Sequence, residues 1–220
     1  MTLGGFLEIE KGNGTGVCVL LSAYKPDLKF FAAQLDSIDE QTFPVTLLVR
    51  NDCPESASLE GFIQEHIKKN AYRYYHGDKN LGYVKSFEAL LSLAEGDYVV
   101  FCDQDDIWHK DKISKTMKKM VELEKDNDIS VPILVHTDLR VVDSNLNEIA
   151  PSFCKYSNLN GNRLAVNQLL VQNVVTGCTV MINNSLAKLG CRSFDEDQML
   201  MHDWWLALLA ATCGVAAFLD

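Results

Sequence analysis

Lysine and arginine are scarce in this sequence, which limits the partners that it can bind through charge. The 220 residues include 20 Lys and Arg against 30 Asp and Glu, giving a formal net charge of −10 and a pI near 4.9. Binding along a nucleic-acid backbone needs clustered Lys and Arg to neutralise phosphates. We therefore expect no nucleic-acid partner, and we expect any anionic ligand to be held by a local site.

The sequence also lacks paired cysteines, a secretory signal and a membrane span. Its seven cysteines are scattered, without a C-x-x-C pair or zinc-ligand spacing, which favours a reduced protein. The first residues lack the basic region and apolar core of a signal peptide. The longest apolar run, 204–219, has 16 residues interrupted by Gly214, whereas a spanning helix needs about 20. We expect a cytoplasmic protein, at most resting on the inner face of the membrane.

Linkers rich in Pro, Gly or Ser and low-complexity tracts are absent too, so one folded domain is predicted. A chain of this length with 47% hydrophobic residues can bury a sizeable core. We expect residues 1–15 to be a loose lead-in and residues 16–220 to be a single domain. The last predicted strand reaches the end of the sequence, so we expect a domain truncated at its C-terminal end and cut from a longer protein.

Apolar strands alternate with helical segments through the first half of the chain. This alternation predicts an α/β fold with right-handed crossovers and a mainly parallel central sheet flanked by helices. The predicted strands are 17–21, 45–50, 72–75, 98–102, 133–137, 139–142, 179–182 and 215–219. The predicted helices are 27–38, 58–67, 84–94, 110–125, 163–172, 184–189 and 201–212.

The sequence becomes abruptly acidic where the fourth strand should end, at Asp103, Asp105 and Asp106. Crowded carboxylates repel one another and lose hydration, so a positive group is expected to offset them. Ligands of open α/β sheets bind at such strand ends. Oxygen ligands favour magnesium, manganese or calcium, and magnesium is usually held by one or two carboxylates and substrate phosphates. We predict a metal-diphosphate site, with a solvated loop as the ordinary alternative.

Two other uses of these acids fit the sequence poorly. A calcium-binding loop that starts at Asp103 needs Gly in sixth and Glu in twelfth place, where the sequence has Trp108 and Ser114. An aspartyl-phosphate phosphatase would carry its acids on the first strand, whereas here they follow the fourth. Neither class is favoured.

Several separate segments together resemble the family 2 glycosyltransferases of the A-type nucleotide-sugar fold (GT-A, Rossmann-like), from about Val17 to the last residue. The segments that carry the resemblance are Ser22-Ala23-Tyr24, Asp52, Asn80-x-Gly82, Asp103-Gln104-Asp105-Asp106-Ile107-Trp108 and His202-Asp203-Trp204-Trp205. The Asp-Gln-Asp-Asp-Ile-Trp form resembles a bacterial branch that includes rhamnosyltransferases. The resemblance implies an inverting, metal-dependent hexosyl- or rhamnosyltransferase that uses Mn²⁺ or Mg²⁺. It would move a sugar from a UDP- or dTDP-sugar to a hydroxyl of a cell-surface glycan or glycoprotein glycan.

The resemblance assigns the residues at the strand ends to the nucleotide. Ser22 and Tyr24 would line the nucleotide pocket, and Asp52 would hydrogen-bond a uracil or thymine ring. Asn80 and Gly82 would cover the base and the ribose. Two ordinary turns are the alternative for these segments.

Three further residues are expected to face the diphosphate. Asp103 would lie near the ribose and the metal, and Asp105 would be the direct ligand that bridges the metal to the diphosphate. Lys85 would offset phosphate charge, with a solvated helix face as the alternative.

An acid at the position of Asp203 is the general base in the family, so the resemblance implies that role here. The ordinary alternative is a helix N-cap. Beside Trp204 and apolar neighbours, desolvation would raise the pKa of this carboxyl, which suits a base. Thr176 and Gly177 match a segment that floors the acceptor pocket. Trp108 and Trp204 are also expected at the acceptor, with core packing as the alternative.

Two other functions stay open. A sugar-nucleotide pyrophosphorylase would need a Gly-rich, basic loop after the first strand, where residues 22–26 have one Lys and no Gly. The other alternative is a non-catalytic glycosyltransferase-like domain that assembles a larger enzyme. Members of the branch usually continue into a segment whose His can complete the metal site, and this sequence stops at Asp220 before such a segment. We also expect further domains in the full-length protein. Homo-oligomerisation is left open.

Overall fold

The computed structural model describes residues 16–193 and 201–220. The lead-in predicted for residues 1–15 lies outside these residues. The described strands are β1 (Val17–Ala23), β2 (Thr46–Asn51), β3 (Ala71–His76), β4 (Tyr98–Cys102), β5 (Ile133–Thr137), β6 (Val141–Val142), β7 (Glu148–Ala150), β8 (Val180–Asn183) and β9 (Val215–Leu219). The described helices are α1 (Leu28–Asp39), α2 (Glu60–His66), α3 (Gly82–Ser92), α4 (Lys112–Lys125), α5 (Phe153–Tyr156), α6 (Val166–Leu169), α7 (Asn184–Ser193) and α8 (His202–Cys213).

Seven of these strands form one sheet in the order β3-β2-β1-β4-β8-β5-β9. Six of them share one direction, and β8 runs antiparallel to its neighbours β4 and β5. The predicted mainly parallel α/β fold is confirmed. Because β8 runs the other way, it begins at the sheet edge where β4 ends. The segment before β8 therefore meets the acidic segment after β4.

Helices cover both faces of the sheet, because the strand side chains alternate between two apolar layers. On β1, Val19 and Leu21 face the layer that contains Phe31 of α1 and Ile113 of α4. Leu20 points the opposite way, into the layer built by α3, α7 and α8. Burial on both faces explains why these strands are continuously apolar rather than alternating. Among the described residues, no helix is both long and apolar enough to cross a membrane.

The region between β5 and β8 differs from its prediction. The strand predicted over 139–142 forms only at Val141–Val142, and it pairs with β7 in a separate hairpin. Asp143 makes this turn, since its Oδ1 accepts the backbone N–H groups of Asn145 and Asn147 at 2.8 and 2.9 Å. The helix predicted over 163–172 forms only at Val166–Leu169. Local side-chain hydrogen bonds thus compete here with the pattern of apolar residues.

Candidate active site

The carboxyl ends of β1 and β4 lie side by side at the centre of the sheet. Leu21 pairs with Cys102, so the chain leaves both strands at the same place, with Ser22 and Tyr24 on one side and the acidic residues on the other. Gln104 joins the two segments. Its Oε1 accepts the Tyr24 N–H at 2.8 Å, and its Nε2 donates to the Tyr24 carbonyl at 3.4 Å. The sequence analysis did not predict that Gln104 bridges these two segments. Its position among the acids was the only indication in the sequence.

The end of β2 holds the loop that leads into α3. Asp52 is buried, and its carboxylate accepts the N–H of Leu81 at 2.9 and 3.0 Å and that of Gly82 at 2.8 Å. Arg50 Nη2 adds a contact to Asp52 at 3.3 Å and donates to the Lys79 carbonyl at 3.2 Å. Protein donors therefore already occupy the Asp52 oxygens. The residue orders the loop, and its direct contact with a base stays a prediction.

Gly82 gives that loop its shape. Its φ of +75° lies in the left-handed region, and its N–H also contacts Asn80 Oδ1 at 2.8 Å. Other residue types are strained in this backbone conformation. Asn80 is exposed, and Lys85 lies half-buried one turn into α3. The structure thus places both beside the loop predicted to cover the nucleotide.

The acids after β4 group differently from the prediction. A carboxylate oxygen of Asp103, one of Asp106 and the Sγ atom of Cys178 lie within 4.8 Å of one another. We call these three residues the acid–thiol cluster. Ligands of one divalent ion, bound at about 2.0–2.3 Å, lie up to about 4.5 Å apart, so small side-chain movements fit an ion between them. Within the described residues Asp105 is not part of this cluster, and its predicted role as direct ligand has no geometric support.

Partial desolvation and like charge raise the pKa values of Asp103 and Asp105, although both residues remain exposed at the surface. The pKa of Asp103 is raised to about 6, first by desolvation and then by the charges of Asp106 and Asp105. Desolvation, followed by the charge of Asp106, also raises the pKa of Asp105. Hydrogen bonding with the Cys178 thiol acts in the opposite direction on Asp103. A cation bound in the cluster would relieve this repulsion, which supports the predicted charge complement.

Lys112, the first residue of α4, lies beside the cluster. Its Nζ donates to the Cys178 carbonyl at 2.6 Å and stands 4.5 Å from the centroid of the Trp108 ring. Desolvation lowers the pKa of Lys112, and the neighbouring acids oppose that shift. Because its hydrogen bond goes to a carbonyl, the carboxylates keep oxygens for another cation. The sequence did not predict the position of Lys112 beside the cluster, because it is one lysine among several in a charged helix.

Trp108 supports the core-packing alternative rather than the predicted acceptor contact. Its side chain is only 6% exposed and packs in the apolar layer of α1 and α4. The Lys112 ammonium covers its ring, and its backbone N–H donates to Ser37 Oγ at 3.0 Å. A sugar could stack on this ring only if Lys112 moved away.

Asp203 lies in the first turn of α8. The helix begins at His202 and Met201 is the N-cap residue, so Asp203 is not the N-cap. Asp203 is only 5% exposed, and desolvation raises the pKa of its carboxyl. Backbone hydrogen bonds from Trp204 and Gly177 act in the opposite direction. The charge of Asp203 also raises the pKa of Asp103, so the two carboxyls belong to one site.

A 3-10 turn, Gly177–Thr179, joins the acid–thiol cluster to α8. A Cβ atom at Gly177 would lie 3.2 Å from His202 Nε2 and 3.5 Å from Asp203 Oδ2. This tight approach favours glycine, and the next residue, Cys178, reaches the cluster. Gly177, which follows Thr176, therefore adjoins the candidate base, and the acceptor role of both residues stays a prediction.

Trp204 and His202 pack the start of α8 against its neighbours. Trp204 is half-buried, and its Nε1 donates to the Leu169 carbonyl at 2.7 Å, which attaches α6 to α8. The His202 ring lies 4.5 Å from that of Phe87 and 5.1 Å from that of Phe101, between centroids. Desolvation lowers the pKa of His202 to about 4. His202 is therefore a neutral packing residue, and Trp204 has a structural contact beside its predicted acceptor role.

Comparison with known proteins identifies several similar chains. The family model described as glycosyl transferase family 2 matches residues 18–190. An uncharacterized glycosyltransferase of Methanocaldococcus jannaschii is 26% identical over 148 residues, which is 65% of this chain and 49% of that protein.

Two solved structures share the fold. S. aureus TarS 1–349 in complex with UDP has a TM-score of 0.64 at 18% identity, covering 93% of this chain and 57% of that one. Mannosyltransferase PcManGT from Pyrobaculum calidifontis, in complex with GDP-Man and Mn²⁺, has a TM-score of 0.65 at 17% identity, covering 93% and 54%. The chain thus spans about half the length of these relatives.

Proposed function

Because the chain belongs to glycosyltransferase family 2 and has the GT-A fold, we propose that it transfers a sugar, with inversion, from a UDP- or dTDP-sugar to a hydroxyl group. One observation carries the proposal: a buried carboxyl with a raised pKa, Asp203, lies in the same site as the acid–thiol cluster. Inverting transfer needs these two functions together, a base for the acceptor and a charge complement for the leaving diphosphate.

The donor would bind across the ends of β1 and β2. Ser22 and Tyr24 stand at the end of β1, and Gln104 holds the Tyr24 backbone against the acidic segment. The Asp52-ordered loop would close over the base, and Lys85 in the first turns of α3 would face the phosphates. TarS and PcManGT have been solved with UDP and with GDP-Man, which supports a nucleotide donor but leaves the base open.

Asp103 and Asp106 would hold Mn²⁺ or Mg²⁺, and Asp105 stays the ligand expected from sequence. When bound, the metal supplies Lewis-acid stabilisation of the negative charge on the departing nucleoside diphosphate. The chain's own residues contribute the anionic cradle that would hold the metal. Desolvation makes the cradle unfavourable without a cation, so metal and donor are expected to bind together.

Asp203 would act as the general base. Its carboxylate would take the proton of the acceptor hydroxyl as that oxygen attacks the anomeric carbon on the face opposite the diphosphate. A raised pKa strengthens its proton affinity, which favours this step near neutral pH. Gly177 and Thr176 would form the floor of the acceptor pocket. For the whole protein we propose a glycan or glycoprotein acceptor at the inner face of the membrane.

Calorimetry with UDP and with dTDP, each with and without Mn²⁺, tests the donor site. We expect binding that requires the metal, and equal affinity in both conditions or no binding would contradict the proposal. Asp203→Asn should keep Mn²⁺-dependent nucleotide binding while release of UDP from a panel of UDP-sugars, with or without acceptor, is lost. Undiminished release in the variant would remove Asp203 from its role, and no release by the parent protein would favour the non-catalytic alternative.

A further inference from the structure

The acid–thiol cluster contains a sulfur atom that the sequence pattern does not bring there. Cys178 follows Asp103 by 75 positions, yet its Sγ lies within 4.8 Å of a carboxylate oxygen of both Asp103 and Asp106. Cys102, by contrast, directly precedes Asp103 but lies outside the cluster. Its Sγ contacts Gln34 Nε2 at 2.9 Å and the Asp103 carbonyl at 3.2 Å. The tertiary structure therefore places the thiol of Cys178 in the cluster, and not that of Cys102, which is adjacent to Asp103 in sequence.

The turn that carries Cys178 is held from several sides. Lys112 Nζ bonds the Cys178 carbonyl at 2.6 Å. Both the N–H and the hydroxyl of Thr179 donate to the Thr176 carbonyl, at 2.9 and 2.6 Å. A Cβ atom at Gly177 would lie only 3.2 Å from His202 Nε2, so there is little free space between the turn and α8. The sulfur is thus preorganised beside the carboxylates by packed elements, which is what an effective ligand needs.

We propose that Cys178 supplies a sulfur donor to the metal site, its thiol proton passing to solvent as the cation binds, and that it shifts the preference of the site towards thiophilic divalent cations. The inference rests on the proposed function, since it concerns the metal of the same site. Two carboxylate oxygens alone suit Mg²⁺ or Mn²⁺, whereas an added sulfur favours Zn²⁺ and Cd²⁺. Three protein donors also leave coordination positions open for diphosphate oxygens, as in catalytic metal sites.

A cadmium titration of the full 220-residue chain tests the sulfur directly. The exposed Cys191 and Cys213 would bind cadmium on their own account, so both are first replaced by serine to give the parent protein. Binding of Cd²⁺ to the parent is expected to produce an ultraviolet sulfur-to-cadmium charge-transfer band that saturates at one ion per chain. Cys178→Ser should abolish the band and weaken Cd²⁺ binding by about tenfold or more, while Mn²⁺ affinity changes much less.

Cys102→Ser is the matched control, because this thiol is buried beside Asp103 but lies outside the cluster. It should retain the band. A band that persists in Cys178→Ser, or its absence from the parent, would overturn the proposal. Cadmium-113 NMR of the parent gives a second measurement that needs no folded Cys178 variant, since sulfur-bound and oxygen-bound cadmium differ in chemical shift. A shift typical of oxygen ligands alone would also overturn the sulfur donor.

The outcomes separate this inference from the proposed function. If Mn²⁺-dependent UDP or dTDP binding persists while cadmium shows no dependence on Cys178, the sulfur donor is wrong and the transferase proposal stands. If sulfur-bound cadmium is seen but neither nucleotide binds with Mn²⁺, the sulfur donor stands and the donor proposal fails.

Discussion

At the scale of single residues, Asp103 shows how the acid–thiol cluster lowers the stability of the metal-free protein. Folding raises the pKa of this carboxyl from 3.8 to about 6, because desolvation and the charges of Asp106 and Asp105 disfavour its ionised form. Between these two pH values the folded state binds more protons than the unfolded state. Ionisation of Asp103 therefore lowers the free energy of unfolding as pH rises through this window.

We predict that Asp103→Asn becomes progressively more stable than the wild type as pH rises from about 4 to about 6, measured without metal as the difference between their melting temperatures. The comparison with the wild type is needed because two histidines also titrate in this window. Desolvation lowers the pKa values of His136 and His202 to about 4, so both proteins lose stability as pH falls, and this common contribution cancels in the difference.

Asp143→Asn is the control for this prediction, since hydrogen bonds from Asn147 and Asn145 lower the pKa of the Asp143 carboxyl. Ionisation here favours folding, so this variant should lose stability relative to the wild type as pH rises through about 4. A melting-temperature difference for Asp103→Asn that is flat with pH would show that the cluster is not strained by charge.

At the scale of elements, the junction between β2 and α3 shapes the loop predicted to cover the nucleotide. Asp52 at the end of β2 accepts the N–H groups of Leu81 and Gly82, where α3 begins. N–H groups at the start of a helix have no acceptor within it, and here the Asp52 carboxylate supplies one, together with Asn80 Oδ1 for Gly82. The junction depends as well on the left-handed conformation of Gly82.

We predict opposite effects for two glycine-to-alanine changes. Gly82→Ala should destabilise the protein by about 1–2 kcal/mol, because alanine is strained at this φ although nothing blocks its Cβ. Gly61→Ala, in α2, meets no atom within 4 Å and has no left-handed φ, so it should stabilise by about 0.4–1 kcal/mol. Urea denaturation measures both changes, and equal effects would refute the strain at Gly82. Gly82→Ala should also weaken UDP binding, which Gly61→Ala should leave unchanged.

At the scale of the whole molecule, the site draws on residues far apart in the chain. The segments predicted to bind the nucleotide come from β1, β2 and α3, whereas the cluster and the candidate base come from the loop after β4, the 3-10 turn and α8. A ligand that contacts all of them binds the folded state alone. Its binding energy therefore adds to the stability of the entire domain.

We predict that Mn²⁺ with UDP, at about 100 times their dissociation constants, raises the melting temperature by roughly 5–10 °C. Scanning calorimetry measures the shift. Asp203→Asn should keep it, because the base is not needed for donor binding, and Asp103→Asn should lose most of the metal-dependent part. A shift of the same size in the presence of EDTA would contradict a metal-dependent donor site.

Local pattern predicted those parts of the fold that depend on neighbours a few residues away. The strands β1 and β4 follow from short continuous apolar runs, because both of their faces are buried, and the amphipathic helices α1 and α4 follow from helical spacing of apolar residues on one face. The acids after β4 could also be assigned to the site, because strand ends of parallel sheets converge on one edge. The resemblance to the family added Asp203, which no spacing rule would have joined to Asp103.

Contacts between distant segments were decided only by the tertiary structure. Cys178 meets the acids because β8 is antiparallel to β4 and begins where β4 ends, a pairing that short strands do not reveal. Lys112 of α4 then donates to the Cys178 carbonyl. Trp108 points inward because α1 and α4 offer it an apolar layer, although Asp106 and Lys110 lie two positions away on either side. The periodicity of a segment says which of its faces is buried, but only packing among all segments decides what that face meets.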